Sequence, residues 1–155
     1  MSFRVQGLHP AEFEHLFGLD DASLAKHKAK RYVTDENGGY PCRITLEDVG
    51  AGENLLLVNY AHQPCATAYA SQGPIFVREK HATRAEWIDE IPDQLQVRLI
   101  SLRAYDRNDM MVDADVVDGK DLKPLVERFL ANKEVAYLHA HFARRGCFAA
   151  KIERT

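Results

Sequence analysis

The side chains best suited to chemistry lie in the last twenty residues before the terminal threonine, Val135 to Arg154. Successive side chains of an extended strand point to opposite faces, so Tyr137, His139 and His141 share one face there. Leu138, Ala140 and Phe142 take the other. Ala143-Arg-Arg-Gly146 reads as a turn, and Cys147 to Arg154 as a returning strand. Two histidines, two arginines and a cysteine therefore fall within nine residues. An imidazole titrates near neutrality and can serve as ligand, acid or base without a large pKa shift.

Three chemistries suit these residue types. The first is a divalent metal site, in which His139 and His141 present nitrogens and Asp113 and Asp115, also at i, i+2, add oxygens. Such a mixed set suits zinc, manganese or iron, and an open position would make it hydrolytic or oxidative. The second is nucleophilic catalysis by Cys147, whose thiolate would be favoured by Arg144 and Arg145, with His139 and His141 as acid and base. Cys42, beside Arg43, is a lesser candidate of that kind. The third is a binding pocket without chemistry. Arg43, Asn59, Arg78 and Arg103 sit on otherwise apolar strands, and His62 emerges at the end of one. An arginine pointing into a covered sheet face needs a carboxylate or a ligand anion. Glu79, Asp113, Asp115 and Asp118 could instead neutralise these arginines in a structural network, and free cysteines are often simple core fillers.

The elements that must hold these residues are legible as hydrophobic periodicity and turn chemistry. Pro10 suits a first helical position, with Phe13, Leu16 and Phe17 on one face, and Asp20 or Asp21 can cap a second helix. Arg31 to Thr34, Cys42 to Leu46, Leu55 to Tyr60 and Ile75 to Glu79 read as strands. The nearly continuous apolar run Leu55 to Tyr60 is expected to be central and covered on both faces. Gln63 to Gly73 reads as a long loop bordering a pocket. The spacing Thr83-Arg-Ala-Glu86 predicts a capping box, with Trp87 and Ile88 on a helical turn. Asp121 can cap a helix whose Leu122, Leu125, Val126, Phe129 and Leu130 form a stripe ending at Asn132.

Two hairpins follow from alternation. If Tyr105 pairs with Met111, then Ile100, Leu102 and Ala104 face Val116, Ala114 and Val112, and Arg103 stands opposite Asp113. In the closing hairpin, Phe142 pairs with Phe148, Ala140 with Ala150 and Leu138 with Ile152. That register sets His139 beside Lys151 and His141 beside Ala149, and leaves Cys147 in the loop.

The bulk properties limit the class of protein. At 155 residues with 46% hydrophobic side chains, the chain suits one α+β domain, residues 1–155, with a mostly antiparallel sheet of six or seven strands and helices packed on one face. A net charge of -3 gives no electrostatic case for nucleic acid. No apolar run reaches the ~20 residues of a membrane span, and the N-terminus lacks a secretory h-region. Three cysteines at irregular spacing suggest neither a disulfide framework nor a zinc ribbon, and a reducing cytoplasm is the natural setting.

Several stretches, taken together, resemble a bacterial family catalogued only as a domain of unknown function, number twelve-oh-three. They are Tyr40-Pro-Cys-Arg43, Leu46-Glu-Asp48, Leu57-Val-Asn-Tyr60 with His62-Gln63, Ile75-Phe-Val-Arg-Glu79, Ser101-Leu-Arg-Ala-Tyr-Asp106, Met110 to Gly119 and His139 to Arg154. The resemblance spans essentially the whole chain. It implies one domain and a bacterial origin but no activity. Where the family's closing hairpin is expected to read His-Asn-Ala, this chain has His141-Phe-Ala143, which argues against a role for the side chain at position 142. The reading reached from sequence is a pocket on the sheet face that binds a small anionic molecule, extended by metal-assisted chemistry. A protein interaction module and a cysteine-dependent enzyme are the alternatives.

Overall fold

A computed structural model describes residues 1–155. Nine strands form two antiparallel sheets. In chain order they are β1 (Phe3–Gln6), β2 (Lys30–Val33), β3 (Asn54–Gln63), β4 (Ser71–Arg78), β5 (Glu86–Ile88), β6 (Leu99–Tyr105), β7 (Met111–Asp118), β8 (Tyr137–Phe142) and β9 (Phe148–Arg154). The larger sheet has the order β5-β1-β9-β8-β6-β7, and the smaller one β2-β3-β4. Three helices, α1 (Asp21–Lys26), α2 (Asp93–Gln96) and α3 (Leu122–Ala131), complete an α+β fold dominated by sheet.

The larger sheet buries one face under α3. Ile100, Leu102, Ala104, Leu138, Ala140, Ile152, Phe3 and Val5 meet the α3 stripe Leu122, Leu125, Val126, Phe129 and Leu130, as the helical spacing of those apolar residues requires. The Arg154 guanidinium donates to the carbonyls of Leu130, Asn132 and Val135, which satisfies backbone groups left over where α3 ends. Beyond the opposite face lies a second core built on β3 and β4, which includes Leu55, Leu56, Val58, Ile75, Val77 and Phe148. Leu55 and Leu56 are adjacent in sequence and both fully buried, so this part of β3 is covered on both sides, as its apolar run requires.

Asp20 caps α1 by accepting a hydrogen bond from the Ser23 amide at 2.7 Å. Pro10 opens a 3-10 turn, and Asn132 ends α3. Both hairpins form. The pairs Leu138 with Ile152, Ala140 with Ala150, His139 with Lys151 and Tyr105 with Met111 are those expected.

Bulges correct the rest of both registers. In the closing hairpin the register shifts between Ala140 and His141, so His141, not Phe142, pairs with Phe148. Ala149 is the extra residue, and Phe148 is carried to the histidine face, where it joins the second core. In the other hairpin the register shifts between Ala104 and Tyr105. Leu102 then faces Asp115 and Ala104 faces Asp113, the mixed arrangement that alternation disfavours. It is tolerated because β7 is an edge strand with exposed acids, and Asp115 meets Arg128 at 3.3 Å.

Other expectations fail for local reasons. Cys42 to Leu46 is a turn with isolated bridges and a left-handed Leu46 at φ 54°, not a strand. Glu86 to Ile88 forms β5 against β1 where a helical turn was expected, because β1 offers its free edge there. The long loop is shorter than Gln63 to Gly73, since β3 runs through Gln63 and β4 starts at Ser71.

Candidate functional site

The structure divides the sequence candidates between two neighbourhoods that meet at Phe148. On the sheet face, β3 brings His62 to His139 and His141 of β8. Ring centroids are 5.0 Å apart for His62 and His141, and 6.2 Å for His62 and His139. Phe148 stacks on His62 at 5.4 Å with an interplanar angle of 11°, so an aromatic floor supports the cluster. His139 is 3% exposed and His141 1%. The His141 Nδ1 lies 3.0 Å from the Gly146 carbonyl oxygen and must carry the proton to bond it. Its Nε2 is then a buried lone pair with no partner, and the His139 Nδ1 is also unpartnered.

Burial is the main reason that both imidazoles are neutral. It pushes His139 down to about 3, helped by the charges of His141, His62, Lys151 and Arg103. His141 falls to about 4, again mainly by burial, against the opposing bond to Gly146. His62 is also lowered, by burial and then by Arg103. A small pocket of about 170 Å³ reaches this cluster, lined in part by Tyr60, His62, Arg84, His139, Phe148 and Lys151.

The expected metal set is not assembled. Asp113 and Asp115 pair with Ala104 and Leu102, which places them on the α3 face, whereas His139 pairs with Arg103 and His141 with Ser101 on the other. A strand's alternation cannot bring both pairs to one ion. No three His, Cys, Asp or Glu side chains converge on a point that could hold a metal.

The second neighbourhood is a cleft of about 690 Å³ at the turn of the closing hairpin. Arg43, Arg98, Arg144, Arg145 and Cys147 line it, together with Tyr40, Phe142 and one acid, Asp118. Arg43 is the most unusual residue of the chain, because its side chain is large, charged and only 1% exposed. Its Nε donates to the Phe148 carbonyl at 2.8 Å, one terminal nitrogen to the Pro41 carbonyl at 2.6 Å, and the other to the Cys147 sulfur at 3.2 Å. The guanidinium lies 4.9 Å from the centre of the Phe142 ring, and that of Arg98 5.0 Å from the same centre. No carboxylate pairs with Arg43. Burial pulls it down to about 10, partly offset by Cys147, so it remains charged at neutral pH.

The neighbouring arginines differ in how they are satisfied. Arg98 meets Asp48 at 2.9 Å and donates to the Gln94 carbonyl. Arg144 and Arg145 are exposed in the turn and form no ion pair or side-chain hydrogen bond. Arg78, expected here, is elsewhere and already neutralised, with both Glu53 oxygens at 2.8 Å and Glu47 at 3.5 Å. Arg103 stays on the histidine face, and Asn59 is exposed on β3.

The cleft also lies at the other end of β8 from the expected pocket. The loop after Gln63 packs at the Tyr137 end, where Gln63 donates to the Tyr137 hydroxyl and that hydroxyl donates to Asp109, both at 2.7 Å. Arg98, Tyr40 and Phe142 were missed, and Asp118 was expected only as a neutralising partner for the strand arginines. For Arg98 no spacing signal existed. Tyr40 stood in view beside Arg43 in Tyr40-Pro-Cys-Arg43. Position 142 was set aside, yet its ring is the surface on which two arginines rest.

The protein is thus a mixed fold of two antiparallel sheets with few helices, carrying a buried arginine at a hairpin turn. A family model described as "Protein of unknown function (DUF1203)" matches residues 39–154, and the chain belongs to that family. The matched span contains both Arg43 and the closing hairpin. No curated protein and no solved structure matches the chain. No helix is long and apolar enough to cross a membrane.

Proposed function

We propose that this chain binds a small anionic molecule, a carboxylate or phosphate, in the cleft around Arg43, Arg144 and Arg145. One observation carries the reading. Arg43 is charged, almost fully buried and without a carboxylate partner, and it is one of the residues that line an open cleft. A buried charge is costly unless it is paired, and evolution of a purely structural contact would favour an acid beside it. A ligand anion supplies the missing charge. Arg144 and Arg145 add two more unpaired guanidinium groups, whose forked donors match planar oxyanions.

The occupant is a small molecule and not a nucleic acid, because the positive charge is confined to a cleft in a chain of net charge -3. A bacterial cytoplasm, reducing enough to keep Cys42, Cys65 and Cys147 as thiols, is the setting that fits this reading best. The histidine pocket supports a second reading, in which His139 and His141 accept or deliver a proton. The unpartnered His139 Nδ1 and His141 Nε2 favour it. The neutral state of both rings suits a hydrogen bond better than binding of an anion by charge.

Thermal shift measurements with succinate and phenyl phosphate test the first reading. The parent chain should be stabilised by at least one of them at millimolar concentration, and less so as salt rises. Arg144→Gln combined with Arg145→Gln should reduce that stabilisation several-fold, whereas His139→Gln should leave it unchanged. Equal shifts in the parent and the arginine variant would remove the cleft as the site.

A further inference from the structure

We propose that Cys147 undergoes thiol–disulfide exchange with the disulfides of small anionic thiols, using the arginine cleft as its recognition surface. This rests on the anion-binding reading above and names the chemistry of the occupant.

Cys147 is partly exposed and lines the cleft, and one Arg43 terminal nitrogen donates to its sulfur at 3.2 Å. It is the one acceptor of Arg43 able to carry a full negative charge, since the other two are backbone carbonyls. One feature independent of the thiol points to an anionic partner: Arg144 and Arg145, three and two residues before the cysteine, form no ion pair and line the same cavity. Arg43, for its part, has no carboxylate beside it.

No imidazole lines the cleft, and that narrows the reaction. His141, the nearest imidazole in sequence, bonds the Gly146 carbonyl and does not line the cleft. Acyl transfer to a thiol requires a proton donor for an alkoxide or amine leaving group. Exchange at sulfur requires none, because a thiolate attacks and a thiolate leaves. In that step the Cys147 sulfur forms a new S–S bond to one sulfur of the bound disulfide. The old S–S bond breaks, its electron pair leaves on the second sulfur, and that thiolate takes up the proton Cys147 has released to solvent. Cys147 is oxidised to a mixed disulfide, and one equivalent of the anionic thiol is released reduced. A second molecule of the thiol reverses the step.

The other cysteines serve as internal references. Cys65 is also partly exposed but lies in the loop after β3, with its sulfur 3.2 Å from the Thr67 hydroxyl, and Cys42 is fully buried. The test compares dithiobis(nitrobenzoate), a disulfide bearing carboxylates, with neutral dithiodipyridine on the folded full chain, with modified peptides located by mass. The anionic-to-neutral rate ratio at Cys147 should exceed that at Cys65 by about tenfold, and phenyl phosphate should suppress it. Arg144→Gln with Arg145→Gln should bring the ratio close to that of Cys65. Equal ratios at the two cysteines, or a ratio untouched by the arginine replacements, would overturn the proposal. If phenyl phosphate still stabilises the chain while the ratios are equal, the thiol chemistry fails and anion binding stands. If neither is seen, the reading of the cleft fails as well.

Discussion

Acidification from about pH 7.5 to about pH 5 is expected to remove about 4 kcal/mol of folding stability, through two residues. In the folded chain His139 is held neutral down to about 3 and His141 down to about 4, against 6.5 for an ordinary imidazole. Above pH 6.5 both rings are neutral whether the chain is folded or not, so they make stability independent of pH there. Below 6.5 the unfolded chain binds a proton at each ring and the folded chain does not. Stability therefore falls with pH by about 1.4 kcal/mol per unit for each histidine until the folded values are reached. Urea unfolding at the two pH values measures the loss. His139→Gln with His141→Gln should flatten the dependence, and each single replacement should remove about half of it. A parent chain equally stable at both values, or a slope retained in the double variant, would contradict the buried neutral pair.

Gly119→Ala is expected to cost at least about 3 kcal/mol. A methyl carbon placed on Gly119 would lie 1.8 Å from the Leu95 carbonyl oxygen and 2.6 Å from that of Arg98. Both obstacles are backbone, so no side chain can rotate away. The Gly119 amide also donates to the Arg98 carbonyl at 2.8 Å, so this contact fixes the end of β7 against the segment that carries Arg98 into the cleft. Chemical denaturation should show the loss, and Gly50→Ala, where an added methyl meets nothing within 4 Å, should be nearly neutral. Equal midpoints for the two variants would mean that the close approach is absent.

The sequence was most legible where one face had to be dry. The α3 stripe, the apolar run of β3 and the pairs around Ala140 were all dictated by burial. The misreadings begin where burial stops deciding. On edge strand β7 the acids reach solvent from either face, so alternation could not distinguish the two registers. In the closing hairpin one bulge sent Phe148 to the histidine face, and a bulge leaves no mark in an apolar pair such as Phe142 and Phe148. The site was legible as residue types but not as places. His62 reaches His139 only because the two sheets pack, and Arg78 is drawn away by Glu53 and Glu47. Cys42 to Leu46 alternates like a strand, yet it folds as a turn that lays Arg43 under the hairpin. Nothing local to Arg43 foretold that its partners would be Pro41, Cys147 and Phe148.

Titration with phenyl phosphate, followed by NMR at the arginine side-chain Nε–Hε resonances, reports directly on whether the Arg43 cleft is an anion site. The resonances of Arg43, Arg144 and Arg145 should shift together along one saturable curve, while those of Arg78 and Arg103 stay in place. No saturable shift at those three arginines, or a response confined to the His139 and His141 rings, would contradict an anion site there.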